Sequence, residues 1–90
     1  MRRDYKRLER IMKGVANHRR IQILELLEKT PELSLQEVSE ALKVNFKTVS
    51  EHLRRLVLSG LVMKRSQGAS VRHKLTPRGE NVLKFLRTLE

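Results

Sequence analysis

Apolar side chains recur along the chain at the helical period up to residue 60 and at the strand period just after it. Tyr5, Leu8, Ile11, Met12 and Val15 fall on one side of a helix over residues 4–14, with Lys6, Arg7, Arg10 and Lys13 mostly elsewhere, and Gly14 weakens or ends it. Asn17 can cap a second helix carrying Ile21, Ile23, Leu24, Leu26 and Leu27, which Thr30-Pro31 stops because the residue before proline avoids helical geometry. Ser34-Leu35-Gln36-Glu37 has the form of a capping box and opens a third helix over residues 35–42 that buries Leu35, Val38 and Leu42. Asn45 caps a fourth over 46–59, with Val49, Leu53 and Leu56 inside and Gly60 as a left-handed stop. Leu61 to Arg65 and Val71 to Leu75 then alternate in and out around the polar run Ser66 to Ser70, predicting a hairpin with a five-residue loop. Thr76-Pro77 opens a last helix bearing Val82, Leu83, Phe85, Leu86 and Leu89.

The expected order is helix, helix, helix–turn–helix, hairpin, helix. That is a mainly α fold with a small β-hairpin, the layout of a winged helix-turn-helix, in one domain over residues 1–90. Two helices joined by three residues must cross steeply, so the fourth projects from the body. A helix about 10–12 Å across fits a major groove about 12 Å wide.

Charge gives the projecting helix its partner. The chain carries twenty Lys/Arg against ten Asp/Glu and a net charge of +10. The charge is also segregated: residues 1–20 are net +6, 21–42 net −4, 43–79 net +8, and 80–90 neutral. A strongly basic balance points to an acidic partner, nucleic acid before a membrane surface. There is no cysteine, so no disulfide or thiolate metal site can staple the fold. A chain of 90 residues hides only about 60–65% of its unfolded surface, and a second copy of itself is the remaining source of burial. No apolar run approaches the roughly 20 residues of a membrane span, and the N-terminus leads into no signal-like segment. The expected location is cytoplasmic, at the nucleoid when bound to DNA.

With Val49, Leu53 and Leu56 turned inward, Lys47, Thr48, Ser50, Glu51, Arg54 and Arg55 face outward beside the capping Asn45. The early positions suit base edges and the later arginines suit phosphates. On the hairpin, Arg65, Gln67, Arg72 and Lys74, with Lys64 near them, form a second arm for the backbone or a minor groove. Six phosphate contacts would give a log–log salt slope of about −5. Several of these residues also have plainer readings. Glu51 can accept from a cytosine amino group or pair with Arg54 or Arg55 on its own helix. His52 can touch phosphate or pack beneath the helix; His18 and His73 read as surface residues rather than ligands. Phe46 reads as a core plug or staple. The cations of residues 2–13 fit a DNA-binding arm or the solvated side of a dimerisation helix. Nothing supports catalysis: no nucleophile–base pairing, phosphate-cradling loop or metal-ligand spacing is present, and no cofactor or metal is expected. Three aromatics are too few for a single-strand stacking platform.

A family resemblance enters at two segments. Ala16-Asn17-His18-Arg19-Arg20-Ile21-Gln22-Ile23-Leu24-Glu25-Leu26-Leu27 resembles the A-D-P-T-R-x-x-I-L-x-x-L opening of ArsR-type transcriptional regulators, and Thr48 to Leu56 followed by Gly60-Leu61-Val62 resembles their T-V-S-x-H-L-x-x-L…G-L-V. Leu75-Thr76-Pro77-Arg78-Gly79 is more similar to MarR- and PadR-type winged helices. The resemblance implies a homodimer joined through the first and last helices, which here present Tyr5, Leu8, Ile11, Met12, Leu83, Phe85 and Leu86. It implies an inverted-repeat operator in double-stranded DNA, and contacts to bases or phosphates at Thr48, Ser50 and His52. It does not bring the family's cysteine metal sensor, which this chain lacks. Lys43 stands where a glycine is common in the turn, and a left-handed backbone there costs on the order of 1 kcal/mol.

The sequence therefore describes a sequence-specific DNA-binding regulator, most simply a repressor. Its rivals are a winged-helix module that meets protein or RNA inside a larger assembly, and a sequence-neutral architectural DNA protein.

Overall fold

The computed structural model describes residues 2–90. The helices are α1 (Tyr5–Val15), α2 (His18–Lys29), α3 (Leu35–Leu42), α4 (Phe46–Leu58) and α5 (Pro77–Arg87), with β1 (Val62–Gln67) and β2 (Ser70–Leu75) between α4 and α5. This is the winged helix-turn-helix order.

Each helix starts where a side chain can replace the missing intrahelical acceptors. Asp4 accepts from the Arg7 amide, Asn17 from those of Arg19 and Arg20, Asn45 from those of Lys47 and Thr48, and Thr76 from that of Gly79. The capping box is complete: Ser34 Oγ accepts the Glu37 amide at 3.1 Å and the Glu37 carboxylate accepts the Ser34 amide at 2.9 Å. Each such cap contributes about 1 kcal/mol. The helices then bury one stripe each around a common centre formed by Ile23, Leu24 and Leu27 of α2, Val38 of α3, and Val49, Leu53 and Leu56 of α4. Val15, Leu61, Val62, Leu75 and Leu83 close it from α1, the hairpin and α5. Leu83 is only 1% exposed, so it belongs to the core of the protomer and is not available to a second copy, contrary to the expectation from its helix's broad apolar face.

The hairpin is tighter than its polar run suggests. Its register runs from Val62↔Leu75 to Gln67↔Ser70, so the loop is Gly68-Ala69 alone and not five residues. Gly68 has φ +60°, the positive value that a two-residue turn of primed type needs at its first central position. Leu33 adds a third short rung: its carbonyl accepts the His73 amide at 2.9 Å and the His73 ring at 3.0 Å through Nδ1. His73 is thus a buried anchor of the hairpin, 4% exposed, rather than a surface residue. The Leu33 carbonyl fixes Nδ1 as the donor. Burial lowers the His73 pKa below its ordinary value, and desolvation also lowers that of His52. Both unfolded imidazoles take up a proton near pH 6.5 before the folded ones do. Stability should therefore be complete above about pH 6.5 and fall as the pH drops through the interval below it. Urea titrations should show that loss at pH 5.5 relative to pH 7.5, and His73→Gln should shrink it.

Thr76-Pro77-Arg78-Gly79 fastens α5 to the root of the hairpin. Thr76 Oγ1 donates to the Gly60 carbonyl at 2.6 Å, its amide donates to the Leu61 carbonyl at 3.1 Å, and Arg78 Nη1 donates to the Ser59 carbonyl at 3.3 Å. Gly79 lies so close that a Cβ there would fall inside contact distance of the Leu61 carbonyl oxygen. Alanine would gain about 1 kcal/mol of helix propensity, but driving α5 off fixed backbone costs typically about 1–3 kcal/mol. Gly79→Ala should lower the melting temperature by several degrees; a rise would show that α5 can slide off freely.

Candidate nucleic-acid interface

The α3–α4 turn spans only Lys43, Val44 and Asn45, and its geometry aims α4. Lys43 adopts the left-handed conformation (φ 55°, ψ 43°), and Ser39 Oγ donates to the Val44 carbonyl at 2.6 Å to hold the bend. The side chain of Asn45 is used by the α4 cap, at 2.8 Å from the Lys47 amide and 3.3 Å from that of Thr48, which ties it to the helix start rather than leaving it for a base.

Three stripes run along α4. Val49, Leu53 and Leu56 are buried. Phe46, Ser50 and Arg54 face β1 and β2 across an open cleft of about 700 Å³, which Ser34, Lys64 and Val71 also line. Phe46 is 54% exposed in that cleft and plugs no core. The third stripe, Thr48, His52, Arg55 and Ser59, follows helical spacing on the far side. Lys47, Thr48, Ser50, Glu51, Arg54 and Arg55 are all exposed, as the helical pattern requires. His52 is half-buried with its Nδ1 shut off from solvent, which favours packing beneath the helix over an outward contact.

Carboxylates already occupy all four arginines expected to hold phosphate. Glu51 accepts from Arg54 at 2.6 and 3.0 Å and from Arg55 at 3.3 Å. Those bonds, Arg54's first, pull its pKa down to about 2. Glu51 is therefore the partner of its own helix's arginines and not a free acceptor for cytosine. On the hairpin, Arg65 is bonded to the Glu32 carboxylate, and Arg72 Nη1 reaches Glu37 Oε1 at 2.6 Å and the Glu32 carbonyl at 3.2 Å. Glu32 takes a left-handed backbone, φ 67°, to present both groups. Hydrogen bonds lower the pKa of Glu32, from Arg65 first, and of Glu37, from Ser34 first. Gln67 is exposed at the tip, and Lys47, Lys64 and Lys74 make no ion pair among the described residues. The part of Glu32 and Glu37 was not visible in sequence, because their partners lie 33 to 40 residues away.

The residues that pack this arrangement also carry its ancestry. Residues 17–64, just over half the chain, match the model of the bacterial regulatory protein arsR family. The chain belongs to the ArsR family. As such it is a winged-helix DNA-binding transcriptional regulator.

Solved structures agree. HlyU from Vibrio cholerae is 31% identical, with 99% of this chain and 97% of that one covered and a TM-score of 0.82. A homodimeric winged helix-turn-helix DNA-binding domain from Mycobacterium bovis, a possible ArsR-family transcriptional regulator, is 27% identical over 94% of this chain and 79% of that one, TM-score 0.86. The transcriptional repressor PagR of Bacillus anthracis is 26% identical over 92% and 99%, TM-score 0.79. Among curated proteins no sequence matches. Among its described residues this ArsR chain has no group of three His, Asp or Glu side chains placed to hold a metal ion, and no helix long and apolar enough to cross a membrane.

The faces expected to meet a second copy are apolar and open in this ArsR protomer. Tyr5, Leu8, Met12, Phe85 and Leu89 are exposed, and Ile11 and Leu86 are half-buried at the margin of the core.

Proposed function

We propose that the protein is a homodimeric repressor that reads an inverted repeat in double-stranded DNA, with α4 of each protomer in a major groove. The observation that carries this reading is the exposed polar start of α4, Lys47, Thr48 and Ser50, projected by a three-residue turn from a rigid core. Lys47 and Ser50 read base edges, with Thr48 at the entry of the groove; Lys64, Gln67 and Lys74 on the hairpin meet the backbone beside it. Arg65 and Arg72 contribute there only as far as phosphate displaces Glu32 and Glu37.

Dimerisation is supported by the strongly amphipathic α1 and by the exposed apolar side chains that α1 and α5 each carry. The similar M. bovis domain is homodimeric, and the similar B. anthracis protein is a repressor. Occupation of an operator by such a dimer would block transcription by occlusion. The protein would act in the cytoplasm, at the nucleoid.

Paired substitutions test the division of labour. Ser50→Ala should change affinity by an amount that depends on the duplex sequence, whereas Lys64→Ala should weaken every duplex by a similar factor. Equal losses on all sequences from both variants, read by fluorescence anisotropy, would remove the base-reading role of α4.

A further inference from the structure

A helix lying in a major groove has a sugar-phosphate strand on each side, because groove and helix have nearly the same width. On one side of α4 stands the hairpin, where Glu32 and Glu37 already bind the arginines. On the other side α4 packs against α2 and α1, with Ser59 set against Gly14 near the end of α1. Arg19 and Arg20 on that side make no ion pair among the described residues.

Arg20, in the first turn of α2, sends Nη2 to the Lys13 carbonyl of α1 at 3.3 Å and so ties the two helices together. Arg19 beside it touches only the neutral Gln22, at 3.1 Å. His18 is exposed next to them. The carboxylates near this junction are Glu9, paired with Lys13, and Glu51, already held by Arg54 and Arg55. The amide ends of α2 are satisfied by Asn17, so the positive character comes from the side chains. A second observation points the same way. Among the described residues, Arg20 Nε and His52 Nδ1 are the buried side-chain nitrogens without a hydrogen-bond partner, and they belong to this one cluster. Native interiors leave few such atoms unpaired. An anion beside Arg20 would give its Nε the acceptor it lacks.

We propose that Arg19 and Arg20 form a second backbone-phosphate clamp on the side of α4 opposite the hairpin. The inference rests on the DNA-binding reading above and adds a contact that the recognition helix and hairpin do not supply. It divides the protein's grip on the duplex between a neutralised arm and a cationic shoulder.

The test measures affinity for a random-sequence duplex against salt, from about 0.1 to 0.4 M, for the parent, Arg19→Gln, Arg20→Met and the double variant. Arg20→Met keeps the aliphatic packing, and circular dichroism and thermal melts establish that the variants fold; Arg19→Gln, on the surface, provides the reading should Arg20→Met not fold. Each single change should flatten the log–log slope by about 0.9 and weaken binding about fivefold at 0.15 M; both together should weaken it about thirtyfold. Lysine at either position should restore most of the slope, and the bases preferred in a selected pool should not change. A parent that binds duplex while folded variants keep its slope and affinity would overturn the clamp and leave the DNA reading standing. A parent that binds no duplex would remove the DNA reading and the clamp with it.

Discussion

Replacing Glu51 with alanine should tighten binding to every duplex and steepen its dependence on salt. In the free protein this carboxylate engages both Arg54 and Arg55, three and four residues along the same helix. Removing it deletes one negative charge from the proposed DNA-facing surface and frees two cations. Two extra phosphate contacts would steepen the log–log slope by about 1.8 and raise affinity about thirtyfold at 0.15 M salt. Discrimination between sequences should shrink, because the gain is blind to base identity. Acid does not substitute for the mutation. The folded-state pKa of about 2 keeps Glu51 charged throughout the working range. Its contribution to stability is present above its ordinary value near 4.5 and is lost only as the pH falls toward 2. Unchanged affinity and slope in Glu51→Ala, measured by anisotropy titration over a salt series, would mean that Arg54 and Arg55 point away from the backbone.

In the proposed dimer, Leu8→Glu should separate the two copies while leaving each folded. Leu8 is exposed on the apolar side of α1, with Tyr5 and Met12 on the same element, Phe85 on α5 and Leu89 just past its end. A carboxylate there costs the isolated chain little, but between two copies it would be buried without a partner. Sedimentation should show a monomer. Affinity for a two-half-site operator should fall by about 10²–10⁴, because the second half-site is no longer held at high effective concentration. Helix content by circular dichroism should not change. A variant that still sediments as a dimer would place the interface elsewhere.

The elements were legible because each is punctuated locally. Asn17, Ser34, Asn45 and Thr76 sit directly before helices, and the structure has each of them accepting amides of the first turn. The exposure of Lys47, Thr48, Ser50 and Arg54 followed from the same three- and four-residue spacing that buried Val49, Leu53 and Leu56. What could not be read depends on distance along the chain or on one dihedral angle. Gly68 closes the hairpin in two residues only because its φ is positive, and Leu33 becomes a rung only because His73, 40 residues later, is brought beside it. The helix of Leu83 has an apolar face too broad to say which part lies inside, and only α2 and β2 packing against α5 decide it. The ion pairs of Glu32 and Glu37 matter most here. Sequence shows a basic hairpin and an acidic stretch as separate blocks, while the fold lays one against the other and spends part of the hairpin's charge.

That redistribution gives the protein a restrained surface. Its hairpin arginines are paired with Glu32 and Glu37, so the excess positive charge rests on residues 1–20 and on Lys47, Lys64 and Lys74, while α4 carries its own counter-charge. Non-specific attraction grows with each free phosphate contact, so such neutralisation lowers binding to bulk DNA and leaves base contacts to decide the site.

The most direct measurement is selection from a random duplex pool at near-physiological salt, followed by sequencing. Enrichment of an inverted repeat whose half-sites lie about one helical turn apart is the predicted result, since two α4 helices related by a dimer axis must enter successive major grooves. Binding without enrichment, or enrichment of a single unrepeated half-site, would contradict the account of a dimeric, sequence-reading regulator.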